Sequence, residues 1–188
     1  MQKYINIIKA ALEEVPQEYY KLSTTYSTEG IVRERVFCYE LYHRLRCIQE
    51  RQEDTALNIH GEIDKRGHEL FNQEDRKNPD FVFHVPGSME SNSIVVEVKG
   101  KIDSTAYQRE SIEDFKTLSK FVLKYNYKLG IFIVYNYTLL EFKRYMEERI
   151  KIDLSELELQ QKERIIIFCK SKENTYVEEC TLIDIMER

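Results

Sequence analysis

Three side chains at two places in the sequence have the types needed for acid–base or divalent-cation chemistry. Asp80 follows Pro79 in NPDFVFHV, and Glu97 and Lys99 lie in IVVEVKGK, residues 94–101. The second stretch has the composition of a core strand, so Glu97 and Lys99, two positions apart, project from one face. Glu and Lys are seldom buried unless paired, and isolating either charge costs several kcal/mol or shifts its pKa. If residues 79–85 and 94–101 pair around the tip GSMESNS, Asp80 approaches Glu97. Two carboxylates held together repel, and a proton or a cation must relieve them. A hard divalent cation takes such oxygen ligands, and Mg²⁺ keeps several waters while doing so.

The spelling acidic-x-Lys alone decides nothing, because it occurs at Asp75, Glu97, Asp114 and Glu141. Setting separates the copies. The first is in a polar loop, and the last two fall in helical patterns, where positions i and i+2 point about 200° apart. Pro79 suits a strand start, since it cannot donate a ladder hydrogen bond. Asp80 then shares its face with Val82 and His84. A third carboxylate comes from residues 29–52, which form a strong helix pattern. Val32, Val36, Phe37, Leu41, Leu45 and Ile48 define a wide apolar arc, and Glu40 falls inside it, near Arg33 and Arg44. Glu40 either pairs with Arg44 one turn on or faces the cation.

The elements that must position these groups follow from periodicity. Residues 2–22 form one or two short helices broken near Pro16, so 1–28 is predicted to be a helical extension. After the 29–52 helix come strands at ALNIHGEID (56–64), PDFVFHV (79–85) and IVVEVKGK, then a helix over about 105–128 and a buried strand, LGIFIVYNY (129–137). LLEFKRYMEERIK is a further helix, RIIIFCK a strand, and YVEECTLIDIM a last strand. The order predicts an α/β domain spanning 1–188, with a mixed central sheet flanked by helices. The 105–128 helix serves as a parallel crossover, 29–137 is the core, and 138–188 adds a helix and strands that complete the sheet.

At 42% hydrophobic and 32% charged the chain is no disordered tail, and a formal charge of −5 excludes a uniformly basic nucleic-acid coat. No apolar run reaches the ~20 residues of a membrane span. The N-terminus lacks a signal-peptide pattern, so a cytoplasmic location and no membrane partner are expected. Cys38, Cys47, Cys169 and Cys180 have no metal-ligand spacing and are expected to be free thiols. The histidines show no HExxH or paired spacing that would suggest zinc. Lys116, Lys120, Lys124 and Lys128 form a stripe on the 105–128 helix, either a solvated face or a phosphate-contacting one. The 13 tyrosines, Tyr39 and Tyr42 among them, suit a core edge, a dimer interface or base stacking equally.

Pro79-Asp80, a 16-residue spacer, then Glu97-Val98-Lys99 resembles the signature of the PD-(D/E)xK nuclease superfamily, the restriction-endonuclease-like fold. The order helix, three strands, helix, strand is similar to its common core over roughly residues 29–137. The resemblance implies Mg²⁺ or Mn²⁺ held by Asp80, Glu97 and the carbonyl of Val98. It also implies Lys99 as the cation that orients the attacking water or stabilises the transition state, and Glu40 as the extra acidic residue of the first helix. Substrate contacts are expected from Lys101, from Gln108 and Arg109 at the start of the following helix, and from Lys116 and Lys120. The implied activity is metal-dependent hydrolysis of phosphodiester bonds, in DNA more than RNA, with a homodimer or a targeting partner supplying specificity. On this view the charges of Glu97 and Lys99 are partly exposed in a cleft, and replacing either by alanine leaves the fold intact. Two alternatives stand beside it. One is a nuclease-like fold used for binding or assembly without catalysis. The other is an unrelated α/β domain that binds a protein partner, in which Asp80 lies far from Glu97.

Overall fold

The computed structural model describes residues 1–25, 27–54, 56–61, 78–88 and 90–187. Helix α1 (Gln2–Glu13) buries Tyr4, Ile5, Ile8, Ala11 and Leu12, the spacing of one helical face. Strands β1 (Leu22–Thr24) and β2 (Ser27–Ile31) pair antiparallel as a separate two-stranded sheet. Helix α2 (Glu34–Arg51) follows, then β3 (Asn58–Gly61), β4 (Phe81–His84) and β5 (Ile94–Lys99). Helix α3 (Thr105–Lys124) carries the chain to β6 (Leu129–Tyr135), followed by α4 (Leu139–Tyr145) and a π-helical turn over Met146–Ile150. The chain ends with α5 (Leu159–Glu163), β7 (Ile165–Lys170), β8 (Glu178–Thr181) and α6 (Leu182–Met186).

The main sheet has six strands in the order β3-β4-β5-β6-β7-β8. β3, β4 and β5 form an antiparallel meander, β6 and β7 continue it in parallel, and β8 returns antiparallel. The chain is therefore α/β, with a mixed sheet flanked by helices. The segment from α2 to β6 has the expected order of one helix, three strands, one helix and one strand.

Alternation along the central strands divides the core in two. Ile94, Val96 and Val98 of β5, with Ile131, Ile133 and Tyr135 of β6, pack against α1 and α2. Val95, Phe132 and Val134 face the opposite layer, which holds Ile112, Phe115 and Leu118 of α3 and Phe142 of α4. Glu97 and Lys99 alternate with Val96 and Val98, so both side chains point into the α3 layer.

Three expectations change. Residues 1–28 are not wholly helical, because the β1–β2 hairpin occupies their end; nor is α1 peripheral, since its apolar face belongs to the main core. The helix expected from residue 29 starts at Glu34. Gly30, at φ +72°, adopts a backbone that favours glycine and serves the hairpin. The tail forms a short strand and then α6, whose start is capped by the Thr181 hydroxyl accepting the Asp184 N–H. Residues 62–77 lie outside the described residues, and with them part of the ALNIHGEID strand and most of the polar run before Pro79. The four cysteines are free thiols, with Cys38 and Cys169 buried. Among the described residues no helix is long and apolar enough to cross a membrane.

Candidate active site

The β4–β5 ladder pairs Phe81 with Val96 and Val82 with Val95. Asp80 immediately precedes Phe81, so continuing that register leads from Asp80 toward Glu97. The Asp80 carboxylate accepts the backbone N–H of Val98 through Oδ2 at 2.7 Å. Asp80 is half-buried, and burial is the main force pushing its carboxyl up to about 7. The Val98 bond and Lys99 pull it back down, while Glu34 and Asp114 add to the rise. The chain thus holds a carboxylate that is strained when ionised, which is the condition a divalent cation relieves.

Lys99 is 5% exposed and Glu97 3%. The expectation of partial exposure for these two charges is therefore corrected. The sheet end is covered by α2 and α3, and the pairing of Lys99 compensates its burial. Its Nζ lies 3.0 Å from Asp114, 3.4 Å from Glu110 and 3.6 Å from Glu34. Asp114 is buried, whereas Glu110 and Glu34 reach solvent. Burial alone lowers the affinity of Lys99 for its proton, but Asp114, Glu34 and Glu110 together outweigh it and hold the amine charged. Glu34 caps the strand end as well, accepting the Gly100 N–H at 3.1 Å. Its carboxyl is raised by burial first, with Lys99 and the Gly100 N–H opposing.

Gly100 follows the motif for a steric reason. A Cβ at this position would lie 2.3 Å from the Tyr135 ring carbon and hydroxyl. That ring cannot retreat easily, because it stacks on Phe37 at 3.8 Å, 1° from parallel, with the Tyr20 edge at 5.9 Å. Asn136, at φ +74°, donates from its side-chain amide to the Gly100 carbonyl at 3.3 Å.

Asp80, Glu97, Val98 and Lys99 are thus brought together. Glu40 is not among them. Its carboxylate takes the Arg44 guanidinium at 2.6 Å, one turn along α2, and the acid that α2 does send to Lys99 is Glu34, at the start of the helix. Lys101 places its amine 5.7 Å from the centre of the Tyr107 ring. Gln108 donates to the Arg149 carbonyl at 2.7 Å and lines a separate cleft with Tyr137 and Arg144. Arg109 is exposed. Lys116 pairs with Glu113 on its own helix at 3.4 Å. Because Asp114 faces Lys99, Lys116 and Lys120 lie about 200° and 240° around α3 and point away from the sheet. His84 shares the Asp80 face and meets His60 of β3 at 2.8 Å, ring nitrogen to ring nitrogen.

Sequence reasoning missed Glu34, Glu110 and Asp114. Asp114 carried a usable signal, since around the helix it falls between Leu118 and Phe121 on the buried face and is followed by Lys only incidentally. Glu110 sits one turn before it. Glu34 had no signal beyond its place at the start of a helix whose boundary was set too early.

The oxygen donors suit a hard divalent cation in type: Glu34, Glu110 and Asp114 surround the Lys99 ammonium, and Asp80 accepts the Val98 N–H beside Glu97 in the same strand. Among the described residues no three histidine, cysteine, aspartate or glutamate side chains form a ready-made cage. Mg²⁺ is commonly held by one or two carboxylates with retained waters, so a full protein cage is not required. No family model, curated protein or solved structure matches the chain.

Proposed function

We propose that the chain is a metal-dependent nuclease resembling the PD-(D/E)xK superfamily, hydrolysing phosphodiester bonds in nucleic acid, DNA more than RNA, in the cytoplasm. The observation that carries this reading is the β4–β5 register. With the Val98 N–H bonded to Asp80, it ties Asp80 to the strand that carries Glu97 and, two residues on along one face, Lys99.

Asp80 and Glu97, with the carbonyl of Val98, would hold Mg²⁺ or Mn²⁺, which when bound lowers the pKa of water and neutralises phosphate charge. Lys99 supplies a fixed positive charge for the transition state. Its ammonium has three donors. Asp114 retains one from the buried side, while the more exposed Glu110 can yield its contact to a phosphate oxygen. Asp114 is a positioning residue in this scheme, because it acts through Lys99.

A second reading, a nuclease-like fold used for binding or assembly, is favoured by one observation: Glu97 and Lys99 are both nearly inaccessible. The two readings separate when the protein is incubated with single- and double-stranded DNA and RNA in Mg²⁺, Mn²⁺ or EDTA. Cleavage that EDTA abolishes supports the nuclease. Salt-sensitive binding without cleavage in either metal supports the second reading and contradicts the first.

A further inference from the structure

A cleft of about 800 Å³ opens beside the site, within the roughly 300–1,000 Å³ usual for ligand sites. Its wall on α2 is the stripe Arg35, Tyr39 and Tyr42, spaced i, i+4, i+7, and Phe81 lines it beside Tyr42; Asp80 and Glu34 also line it. Tyr39 is 64% exposed, a large ring presented to water rather than to the core. Tyr42 is held in place, its hydroxyl donating to the Ile59 carbonyl at 3.3 Å and its ring 13° from parallel with Phe81.

We propose that this cleft binds an unpaired nucleobase of the strand whose phosphate reaches Asp80. The inference rests on the nuclease reading and narrows its substrate to single-stranded or frayed nucleic acid. The chemistry of the walls selects the occupant. The rest of the lining is largely aromatic, and a base is uncharged and presents a π-face that tyrosine rings and a guanidinium both stack upon. A base within a duplex has both faces covered by its neighbours and cannot enter. The preset Tyr42 and Phe81 rings reduce the ordering cost of binding, which leaves the exposed Tyr39 as the ring whose removal alters the fold least.

The test uses the full chain, Ca²⁺ in place of Mg²⁺, and fluorescence anisotropy with a short labelled single-stranded oligodeoxynucleotide and its blunt duplex. The single strand should bind more tightly than the duplex. Tyr39→Ala should weaken single-strand binding about tenfold, as expected for loss of one stacked base, and leave duplex binding unchanged. Tyr39→Phe should bind as the parent. Equal weakening of both probes, no effect of Tyr39→Ala, or no single-strand binding overturns the proposal. Failure of the nuclease reading looks different. Strand binding that depends on Tyr39, with no cleavage in Mg²⁺ or Mn²⁺, removes the catalytic reading and leaves the cleft. Cleavage that is indifferent to Tyr39→Ala does the reverse.

Discussion

The Asp80 carboxylate accepts the Val98 N–H at 2.7 Å, which ties the residue entering one strand to the middle of the acidic-x-Lys triplet on the next. This bond fixes Asp80 beside Glu97 without using the ladder, and it leaves the second carboxylate oxygen of Asp80 available to a ligand.

The pH dependence of stability follows from Asp80. Its carboxyl is pushed up to about 7 in the folded chain, chiefly by burial, against about 3.9 when unfolded. Between those values the native state holds a proton that the unfolded state has released, so raising the pH through this window removes stability. Asp80→Asn keeps an acceptor for Val98 and does not titrate. The difference in Tm between pH 5 and pH 8 should therefore shrink in the variant, and Mg²⁺ should raise the Tm of the parent more at pH 8 than at pH 5. Parallel pH profiles for parent and variant would contradict the assignment.

Lys99 and Asp114 form a buried ion pair at 3.0 Å, so alanine at Lys99 is not a neutral probe of catalysis. Lys99→Met leaves the Asp114 charge buried and should cost about 3–5 kcal/mol. Asp114→Asn should cost less, because Glu34 and Glu110 still face the amine. The double variant Lys99→Met/Asp114→Asn should regain most of the loss in denaturant titrations. Strict additivity of the two sites would show that the pair carries no coupling.

Gly100→Ala should destabilise the chain by about 1–3 kcal/mol, the usual cost of overpacking, by displacing the Tyr135 ring from Phe37. Combining it with Tyr135→Leu, which removes the ring in the way, should recover part of that loss. An alanine variant as stable as the parent would mean that the ring moves freely.

Which acid of α2 serves the site is decided by a paired comparison. Glu34→Gln should lower cleavage about tenfold or more, the usual effect of removing a supporting group, while Glu40→Gln should alter only the Arg44 pairing and leave the rate unchanged. The opposite ranking would restore Glu40 to the site.

The strands were legible because apolar runs bounded by Pro, Gly and polar segments carry a period-two signal, and the β5–α3–β6 crossover followed from length alone. The antiparallel pairing of β4 with β5, which ties Asp80 to the strand of Glu97, was legible for the same reason: a hairpin register needs only two strands and one loop. What escaped was lateral. Which helical carboxylates reach Lys99 depends on how α2 and α3 lie across the sheet end, and a one-dimensional pattern does not encode that placement. The chain's first turns escaped for a local reason, since Gly30 breaks a helical pattern that its neighbours otherwise continue.

The central claim is that Asp80, Glu97 and Lys99 make a hydrolytic centre, and Glu97→Gln tests it most directly because it keeps shape while removing one charge. Cleavage of single- and double-stranded DNA in Mg²⁺ or Mn²⁺ should be abolished by EDTA and lost in Glu97→Gln, with the variant's circular dichroism unchanged. A folded Glu97→Gln protein that cleaves at the parent's rate, or a parent that cleaves nothing in either metal, would contradict it.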